Sequence, residues 1–432
     1  MRRADAADPL ATMAGLDGTA PGLLRVEAPE IQRLGDEWAA TWPAHGVTIS
    51  FGSVRENSDG IHGEMSVVSG VMGEIHWGRI NLASTSAREG LVRKLDQAAP
   101  GLPWRPILER ACRQAARDLR TGEPVVPLVP RQADEGSRFL LPKLLLAGET
   151  NVEFADGGSG KSLFALAIAQ SVSTGIALPG GLVPSAPTRV LLLDYESHRP
   201  EHEDRLARLQ GAGRPPAGLP ILYRPMTRPL ADEAGTIRAE IDRHNIGLVI
   251  VDSLAPACGP EPEGADAVVR TMTALRSFAP ATRLVLAHVT KAAAEQRRGP
   301  VKPFGSAFVY NLARNIWELR KADEDEGADL VIAAFHRKSN AGRLYPPLGF
   351  RFTFHDGVTS LHAHDIGQAP DLLARTSLAF QIQKDLAFGA QTVASLVEAT
   401  GSSKDTVART LRRLRTTGKV IPLDEGRWGL PV

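Results

Sequence analysis

Residues 151–170 read NVEFADGGSGKSLFALAIAQ, and this segment restricts the possible folds more than any other part of the chain. A short apolar run is followed by a glycine-rich turn and then by a run of helical character, which predicts a strand, a loop and a helix. Glycines let backbone N–H groups turn inward around a phosphate, and the N-terminus of the helix adds partial positive charge. The segment therefore predicts an α/β fold with a phosphate-binding loop at the end of one strand.

The loop matches the motif G-x-x-x-x-G-K-S/T except at its first position, where Ala155 replaces the glycine. In this motif the lysine, here Lys161, reaches the β- and γ-phosphate oxygens, and Ser162 ligates Mg²⁺. We therefore predict that the cofactors are ATP and Mg²⁺. The residues expected to hold the nucleotide are Asp156, Gly157, Gly158, Ser159, Gly160, Lys161, Ser162 and Leu163.

Carboxylates end two other short apolar runs. Asp252 follows the run LVIV, and an Mg²⁺ ion beside a phosphate loop needs a carboxylate at the tip of a neighbouring strand. Asp194 and Glu196 end the run VLLLDYE, and one of them is expected to orient the attacking water. The sequence thus predicts one metal ligand and one general base, with two candidates for the base.

The order of apolar and polar runs divides the 432 residues into several parts. In residues 140–356, short β-branched or leucine-rich runs alternate with helical patterns, as expected of a parallel sheet covered on both faces. Strand-like runs followed by two helical patterns predict a small α+β domain at residues 26–122. The other expected parts are a flexible tail at 1–25, linkers at 123–139 and 357–375, and a C-terminal module at 376–432.

The composition excludes some classes of protein. The 50 basic and 49 acidic residues give a net charge of +1, so binding to a polyanion requires a local basic patch. Cys112 and Cys258 are too few for a disulfide framework and have no metal-ligand spacing. No run reaches the roughly 18 apolar residues that span a bilayer, and no secretory pattern follows the N-terminal arginines. We therefore expect a soluble, cytoplasmic protein.

Residues 376–432 carry the pattern of a winged helix-turn-helix. Apolar stripes at helical spacing lie on both sides of residues 401–403, and a short ribbon follows them. Residues 404–419 contain six basic residues and one acidic residue, an excess that a helix in a DNA groove needs. The candidate DNA contacts are Lys404, Arg409, Arg412 and Arg413. Many winged helices bind proteins instead, so a protein partner is the alternative.

With these motifs, residues 140–354 resemble the ATPases of the RecA-like class, and within it the hexameric plasmid and phage replication helicases of the RepA type. The resemblance implies a RecA-like P-loop ATPase core between the small N-terminal α+β domain and the C-terminal winged helix. It places the catalytic glutamate after the strand that follows the phosphate-loop helix, which is Glu196 rather than Asp194. It also implies a polar γ-phosphate sensor after the next strand beyond Asp252, and His288 holds that position.

ATPases of the resembled class complete the site with a basic residue from the neighbouring subunit. FHRKSNAGR contains Arg337 and Lys338 and resembles the lysine/arginine hairpin of the replicative helicases, although the K-x-R spacing of that family is missing. GSAFVYNLARNIWELRK contains Arg314 and Arg320, and Arg314 is the alternative that acts within its own subunit. Ordinary exposed basic residues would give the same pattern.

Helicases of this class also carry DNA-binding loops that face a central channel. The basic segment KAAAEQRRGPVKPFGS occupies the matching place after His288. Such a loop can follow phosphates without reading bases, and a solvated run of charges is the alternative. The residues expected to contact DNA in it are Lys291, Arg297, Arg298 and Lys302.

The resemblance and the motifs together predict an oligomeric, hexameric, Mg²⁺-dependent ATPase that acts on DNA as a replicative helicase. Its expected partners are single-stranded DNA in a ring channel and duplex DNA at the winged helix. The alternative is a regulatory or loading ATPase that binds DNA or a partner through the winged helix without unwinding. A DNA-binding adaptor that only binds nucleotide is a third class. The N-terminal domain has no metal spacing for primase or nuclease chemistry, so partner binding or ring stabilisation is expected of it.

Overall fold

The computed structural model describes residues 26–34, 37–121, 125–130, 138–210, 218–289, 307–323 and 329–431. The expected N-terminal tail, residues 1–25, lies outside these ranges, as do parts of the first expected linker. The chain divides into two compact units, Met1–Pro127 and Leu128–Val432. No helix in the described ranges has the length and apolar composition that crossing a membrane requires.

An antiparallel meander forms the sheet of the first unit. Its strands pair in chain order and are β1 (Glu30–Leu34), β2 (Glu37–Trp42), β3 (Val47–Asn57), β4 (Gly60–Ser69) and β5 (Gly73–Asn81). The sequence pattern predicts only the last three. The alternation in EWAATW nevertheless buries Trp38, Ala40 and Trp42 on one face, and this period of two is the signal for β2.

Two helices pack against the meander, namely α1 (Thr85–Ala98) and α2 (Trp104–Thr121). The Ser84 hydroxyl caps α1 by accepting a hydrogen bond from the backbone N–H of Ala87 at 3.3 Å. Leu91 and Leu95 of α1 share one apolar core with the buried side of α2 and the inner face of the sheet. The first unit therefore has a core of its own.

A nine-stranded sheet forms the centre of the second unit, after a short hairpin of β6 (Phe139–Leu141) and β7 (Leu145–Leu146). Its parallel strands are β8 (Thr150–Ala155), β9 (Arg189–Asp194), β10 (Ile221–Pro225), β11 (Ile246–Asp252), β12 (Thr282–His288) and β13 (Asn315–Lys321). Its antiparallel strands are β14 (Leu330–Ser339), β15 (Leu348–His355) and β16 (Val358–Ala363). The strand order β10-β9-β11-β12-β8-β13-β14-β15-β16 leaves β8 in the interior of the sheet.

Helices cover both faces of this sheet. They are α3 (Lys161–Thr174), α4 (Arg199–Gln210), α5 (Ala234–His244), α6 (Leu254–Cys258), α7 (Ala265–Ser277) and α8 (Ala307–Leu312). One apolar cluster joins the sheet to α5, α6 and α7, and the other joins the opposite face to α3. Burial on both faces explains why the parallel strands are apolar without alternation. The sheet is that of a mixed α/β fold consistent with a RecA-like P-loop ATPase core.

Residues 357–375 do not form the predicted linker. Strand β16 lies in this segment and completes the central sheet by pairing with β15. Asp356 and Gly357, which have φ angles of 51° and 76°, make the two-residue hairpin turn between these strands. The glycine that predicts a break therefore marks a turn within the sheet. The helix α9 (Pro370–Ala374) follows, with Leu372 buried in the same small cluster as Phe335 of β14.

Three helices and a small sheet end the chain. The helices are α10 (Leu378–Ala387), α11 (Val393–Thr400) and α12 (Lys404–Thr416), and the strands are β17 (Gln391–Thr392), β18 (Ile421–Pro422) and β19 (Arg427–Gly429). The hydroxyls of Ser377, Thr392 and Ser403 cap the three helices by accepting a backbone hydrogen bond in the first turn. Gly401 ends α11 with a φ of 61°, so the chain can turn directly into α12.

Candidate nucleotide site

The carboxyl ends of four neighbouring parallel strands meet at one edge of the central sheet. The phosphate loop follows β8, Glu196 follows β9, Asp252 ends β11 and His288 ends β12. The strand register pairs Ala155 with His288 and Asp252 with Asp194. Residues that are far apart in sequence therefore form one site at the edge where ligands bind in open α/β sheets.

The backbone of the phosphate loop uses glycine at two strained positions. Gly158 and Gly160 have φ angles of 69° and 82°, and a Cβ on Gly160 would lie 2.6 Å from the Leu330 side chain. Asp156 accepts a hydrogen bond from the N–H of Gly157 at 2.9 Å and so fixes the start of the loop. Ala155 is the buried last residue of β8, in regular strand pairing, which explains why no glycine is needed there.

Lys161 lies under the loop with only 6% of its surface exposed. Its ammonium donates to the carbonyl of Asp156 at 3.4 Å and to Nδ1 of His288 at 3.3 Å. Burial lowers the pKa of Lys161, while the negative charges of Asp252 and Glu196 oppose this shift. A buried cation at the start of α3 is positioned to neutralise phosphate oxygens.

Glu196 is held by two side chains from neighbouring strand ends. Its Oε1 accepts a hydrogen bond from Nε2 of His288 at 3.2 Å and another from the Ser253 hydroxyl. Because Lys161 donates to Nδ1, the imidazole carries its proton on Nε2. The hydrogen bonds from His288 and Ser253 lower the pKa of Glu196 to about 2, against the effect of burial. The sequence analysis did not predict a role for Ser253, although this residue directly follows Asp252.

Asp194, the other candidate base, has no free acceptor facing a nucleotide. Oδ1 accepts the backbone N–H groups of Glu196 at 3.1 Å and Ser197 at 3.0 Å. Oδ2 accepts from Nε2 of His202 and from the Tyr223 hydroxyl, both at 3.0 Å. These contacts give Asp194 the role of holding the turn that carries Glu196. The geometry therefore favours Glu196 as the base.

Asp252 and Ser162 form a pair suited to a divalent cation. The carboxylate of Asp252 is 3% exposed, and its Oδ1 has no hydrogen-bond partner among the described residues. Burial raises the pKa of Asp252, and a hydrogen bond with Ser162 opposes the shift. A hydroxyl beside an unpartnered carboxylate oxygen fits the oxygen ligands that Mg²⁺ prefers. The residues present therefore fit the predicted ion.

Glu153 is a buried carboxyl that the sequence analysis missed. It lies in the middle of β8, is 3% exposed, and its Oε1 has no hydrogen-bond partner among the described residues. Burial raises its pKa to about 8, with a smaller opposing effect from Lys161. In the sequence, the glutamate of NVEFA is a single polar residue in an otherwise apolar run, and this pattern alone does not indicate a functional role. Burial therefore favours the uncharged form of Glu153.

Glu153→Gln should remove a pH dependence of stability. Between pH 4.5 and 8 the unfolded chain releases the Glu153 proton while the folded chain keeps it, so the free energy of unfolding of the wild type falls as the pH rises. The variant has no such proton. We expect the melting temperature of the variant, relative to that of the wild type, to increase from pH 5 to pH 8, as measured by circular dichroism. Glu149→Gln, just before the same strand, is the control. A difference in melting temperature between Glu153→Gln and the wild type that is equal at every pH would contradict the prediction.

The basic residues predicted to complete the site lie away from the phosphate loop of their own chain. Arg314 donates its backbone N–H to Thr150, at the start of β8, and Lys338 pairs with Ile316, which pairs with Val152. At about 3.3 Å per residue, these positions lie roughly 10 Å or more along the sheet from the carboxyl end of β8. The backbone of Arg314 therefore lies at the end of β8 opposite to the phosphate loop, and a role of Arg314 in its own subunit stays a prediction.

Lys338 and Arg337 are also engaged within their own chain. The ammonium of Lys338 donates to the carbonyls of Tyr310, Asn311 and Ala313 at 2.7, 2.9 and 2.8 Å and so caps the end of α8. Arg337 donates to Oε2 of Glu318 at 2.6 Å, while its Nη2 has no partner among the described residues. This Nη2 is itself buried, so its contact with a neighbouring subunit would require the Arg337 side chain to move.

The predicted DNA contacts fall into two groups. Lys291, Arg297, Arg298 and Lys302 lie outside the described residues. Lys404, Arg409, Arg412 and Arg413 are exposed on α12, whose other face buries Val407, Leu411 and Leu414. The structure therefore places the second group on a solvent-facing basic surface.

Comparisons with known proteins bear on the ATPase part of the chain. A family model described as an AAA domain matches residues 132–294, which include the phosphate loop, Glu196, Asp252 and His288. No curated protein matches the chain. Among solved structures, a KaiC-like protein from the hyperthermophilic archaeon Pyrococcus horikoshii is similar at 12% identity and a TM-score of 0.38, over 53% of this chain and 97% of that chain. The AAA domain match and the phosphate loop together support a P-loop ATPase domain in this part of the chain.

Proposed function

We propose that the protein is an oligomeric ATPase that acts on DNA, as a replicative helicase or translocase of plasmid or phage type. The observation that carries the proposal is the convergence of Lys161, Glu196, Ser253 and His288 through direct contacts at one edge of the sheet. These groups supply a cation for phosphate, a carboxylate for water and a polar link between the two.

The contacts of Glu196 suggest how hydrolysis depends on bound nucleotide. Without nucleotide, His288 and Ser253 hold the carboxylate at a pKa of about 2, where it is a weak base. A phosphate in the loop would draw Lys161 and His288 toward its oxygens and release one hydrogen bond to Glu196. Its basicity would then rise, so that Glu196 takes the proton of the attacking water. Mg²⁺, held by Ser162 and Asp252, would neutralise charge on the phosphate oxygens.

Oligomer formation is part of the proposal because the register of the sheet places Arg314, Arg337 and Lys338 away from the phosphate loop of their own chain. Arg337 is our candidate for the residue that enters the site of a neighbouring subunit. Its guanidinium donates to Glu318 and lies 4.9 Å from the centre of the Phe335 ring, and its buried Nη2 has no partner among the described residues. Entry into a neighbouring site would require the side chain to leave this position. A cation supplied in trans stabilises charge on the transferred phosphoryl group.

The C-terminal elements support the DNA part of the proposal. Three capped helices, a tight turn before α12 and a three-stranded sheet support our assignment of a winged helix-turn-helix. The exposed face of α12 carries Arg409 and Arg412, and cations on such a face can contact phosphates of a duplex. Because a regulatory or loading ATPase would use the same helix, unwinding itself has to be measured.

The proposal predicts that single-stranded DNA stimulates ATP turnover and that ATP supports strand displacement. It also predicts a separable duplex contact. In an Arg409→Gln/Arg412→Gln variant, the slope of the logarithm of the duplex binding constant against the logarithm of salt should fall by about 0.9 for each lost phosphate contact. ATP turnover without DNA should stay as in the wild type.

Lys94→Gln, an exposed change on α1 of the first unit, is the control and should leave the slope unchanged. Duplex binding by the double variant and by the control can be measured by fluorescence anisotropy of a labelled duplex over a salt series. Turnover indifferent to single-stranded DNA, with no strand displacement, would favour the regulatory or loading ATPase. Unchanged duplex binding in the double variant would mean that the C-terminal module contacts protein.

A further inference from the structure

A groove of about 750 Å³ lies between the central sheet and the C-terminal helices, on the part of the second unit formed by β14, α10 and α12. Of the described residues, five basic ones line it, and no aspartate or glutamate does. The basic residues are Arg337, Arg375, Lys384, Arg413 and Lys419. A lining of one charge sign favours an anionic ligand.

The positive charge of this groove is only partly balanced by neighbouring acids. Lys384 pairs with Asp365 at 2.6 Å, and Arg337 pairs with Glu318 at 2.6 Å. Arg413 and Lys419 are exposed and form no ion pair with the described part of the chain. These two cations are therefore available to an anionic ligand from solution.

Flat apolar surfaces lie beside these cations. The Tyr345 ring stacks on His336 with a centroid distance of 5.5 Å and an angle of 8°. His336 in turn stacks on Trp317 at 4.3 Å and 5°, so the Tyr345 ring is held in place from behind. Phe380 of α10 lines the groove as well, with the ammonium of Lys384 at 6.0 Å from its ring. Rings in fixed positions are suited to stacking by a planar group.

We propose that this groove binds single-stranded nucleic acid, with phosphates at Arg413 and Lys419 and a base against Phe380. A single strand uses both features of the groove, because it alternates charged phosphates with bases that stack on aromatic side chains. A peptide made of acidic residues alone would use the cations but leave the flat faces without a partner. The site is separate from the duplex contact at Arg409 and Arg412, since neither residue lines the groove. It also requires no ATP hydrolysis, so it goes beyond the proposed helicase function.

Binding of a fluorescein-labelled oligothymidylate of twelve nucleotides to the full-length protein, without nucleotide, tests the proposal. Phe380→Leu should weaken this binding on the order of ten-fold, because a base loses its stacking surface. Lys419→Gln should lower the salt slope by about 0.7, as expected for one phosphate contact of a single strand. Arg415→Gln, exposed on α12 but outside the groove, should change neither quantity.

A second measurement covers the case in which Phe380→Leu disturbs the fold, which its melting curve would show. An oligonucleotide with 5-bromodeoxyuridine should crosslink, on irradiation of the wild type, to residues 377–387. Crosslinks found only outside the segments that line the groove would overturn the proposal. Oligothymidylate binding with wild-type affinity by the Phe380→Leu/Lys419→Gln variant would also overturn it. The same holds if the wild type binds a polyglutamate peptide and this variant loses the peptide but keeps oligothymidylate binding. Loss of duplex binding alone, in the Arg409→Gln/Arg412→Gln variant, would leave the groove proposal standing.

Discussion

Lys161→Ala is expected to lower ATP hydrolysis by at least 10²–10³-fold, the usual cost of removing one preorganised group that stabilises transition-state charge. The effect should be large because the ammonium is buried and its partners in the free protein are the loop carbonyl of Asp156 and His288. ATP affinity should fall as well, since the same charge faces the phosphates before and during the reaction. Phosphate release and titration with a fluorescent ATP analogue measure the two effects.

Lys94→Ala, an exposed lysine of α1, is the control for Lys161→Ala and should hydrolyse ATP as the wild type does. Near-normal turnover in Lys161→Ala would rule out the phosphate loop as the catalytic site. The variant also tests assembly. A mixture of Lys161→Ala with Arg337→Ala protein should regain part of the activity, because some interfaces then combine an intact loop with an intact Arg337. No recovery in mixtures shown to co-assemble would exclude Arg337 as the trans residue.

Glu196→Gln is expected to lower hydrolysis by roughly 10²–10⁴-fold while leaving ATP bound and uncleaved. Glutamine keeps the size of the side chain and an oxygen that accepts from Ser253 and His288, but it does not take a proton from water. The loss should therefore appear in kcat with little change in ATP affinity. Single-turnover assays with radiolabelled ATP, together with filter binding, separate the two quantities.

Glu203→Gln is the matched control for Glu196→Gln, because Glu203 is exposed on α4 and its carboxylate forms an ion pair with Arg199. It should show wild-type turnover. Asp194→Asn offers a second comparison, in which the turn carrying Glu196 loses support and both stability and turnover should decline. If Glu196→Gln keeps full ATP turnover while Asp194→Asn loses most of it, Asp194 and not Glu196 is the general base.

The central features of the site can be predicted from short stretches of sequence. The loop in residues 155–162 depends on local backbone geometry, since glycines permit the positive φ angles and α3 begins at Lys161. The strands before Glu196, Asp252 and His288 are also visible as apolar runs, because both faces of a parallel sheet are buried. Parallel strands bring their carboxyl ends to one edge, so even the meeting of these residues follows from the pattern.

Contacts between segments distant in the chain could not be predicted in the same way. The residues alone leave Asp194 and Glu196 as two candidates, and the resemblance favours Glu196. Only the positions of His202 and Tyr223 show that the second carboxylate oxygen of Asp194 is occupied by hydrogen bonds. The sequence predicts Lys338 as an interface residue, whereas in the structure its ammonium donates to the carbonyl of Tyr310 at the end of α8. Pattern and propensity describe a residue and its near neighbours, while hydrogen-bond partners depend on which segments the fold packs together.

What the sequence by itself determined is the α/β class, the phosphate loop, the carboxylate-tipped strands and the capped helices of the C-terminal part, because each depends on interactions within about ten residues. Only the tertiary structure decided the strand order, the place of β16 in the central sheet, the buried Glu153 and the basic groove beside α10. The physical reason is that burial and charge balance are properties of a three-dimensional neighbourhood. Glu153 has its raised pKa because a folded sheet excludes water around it, and no window of sequence contains that information.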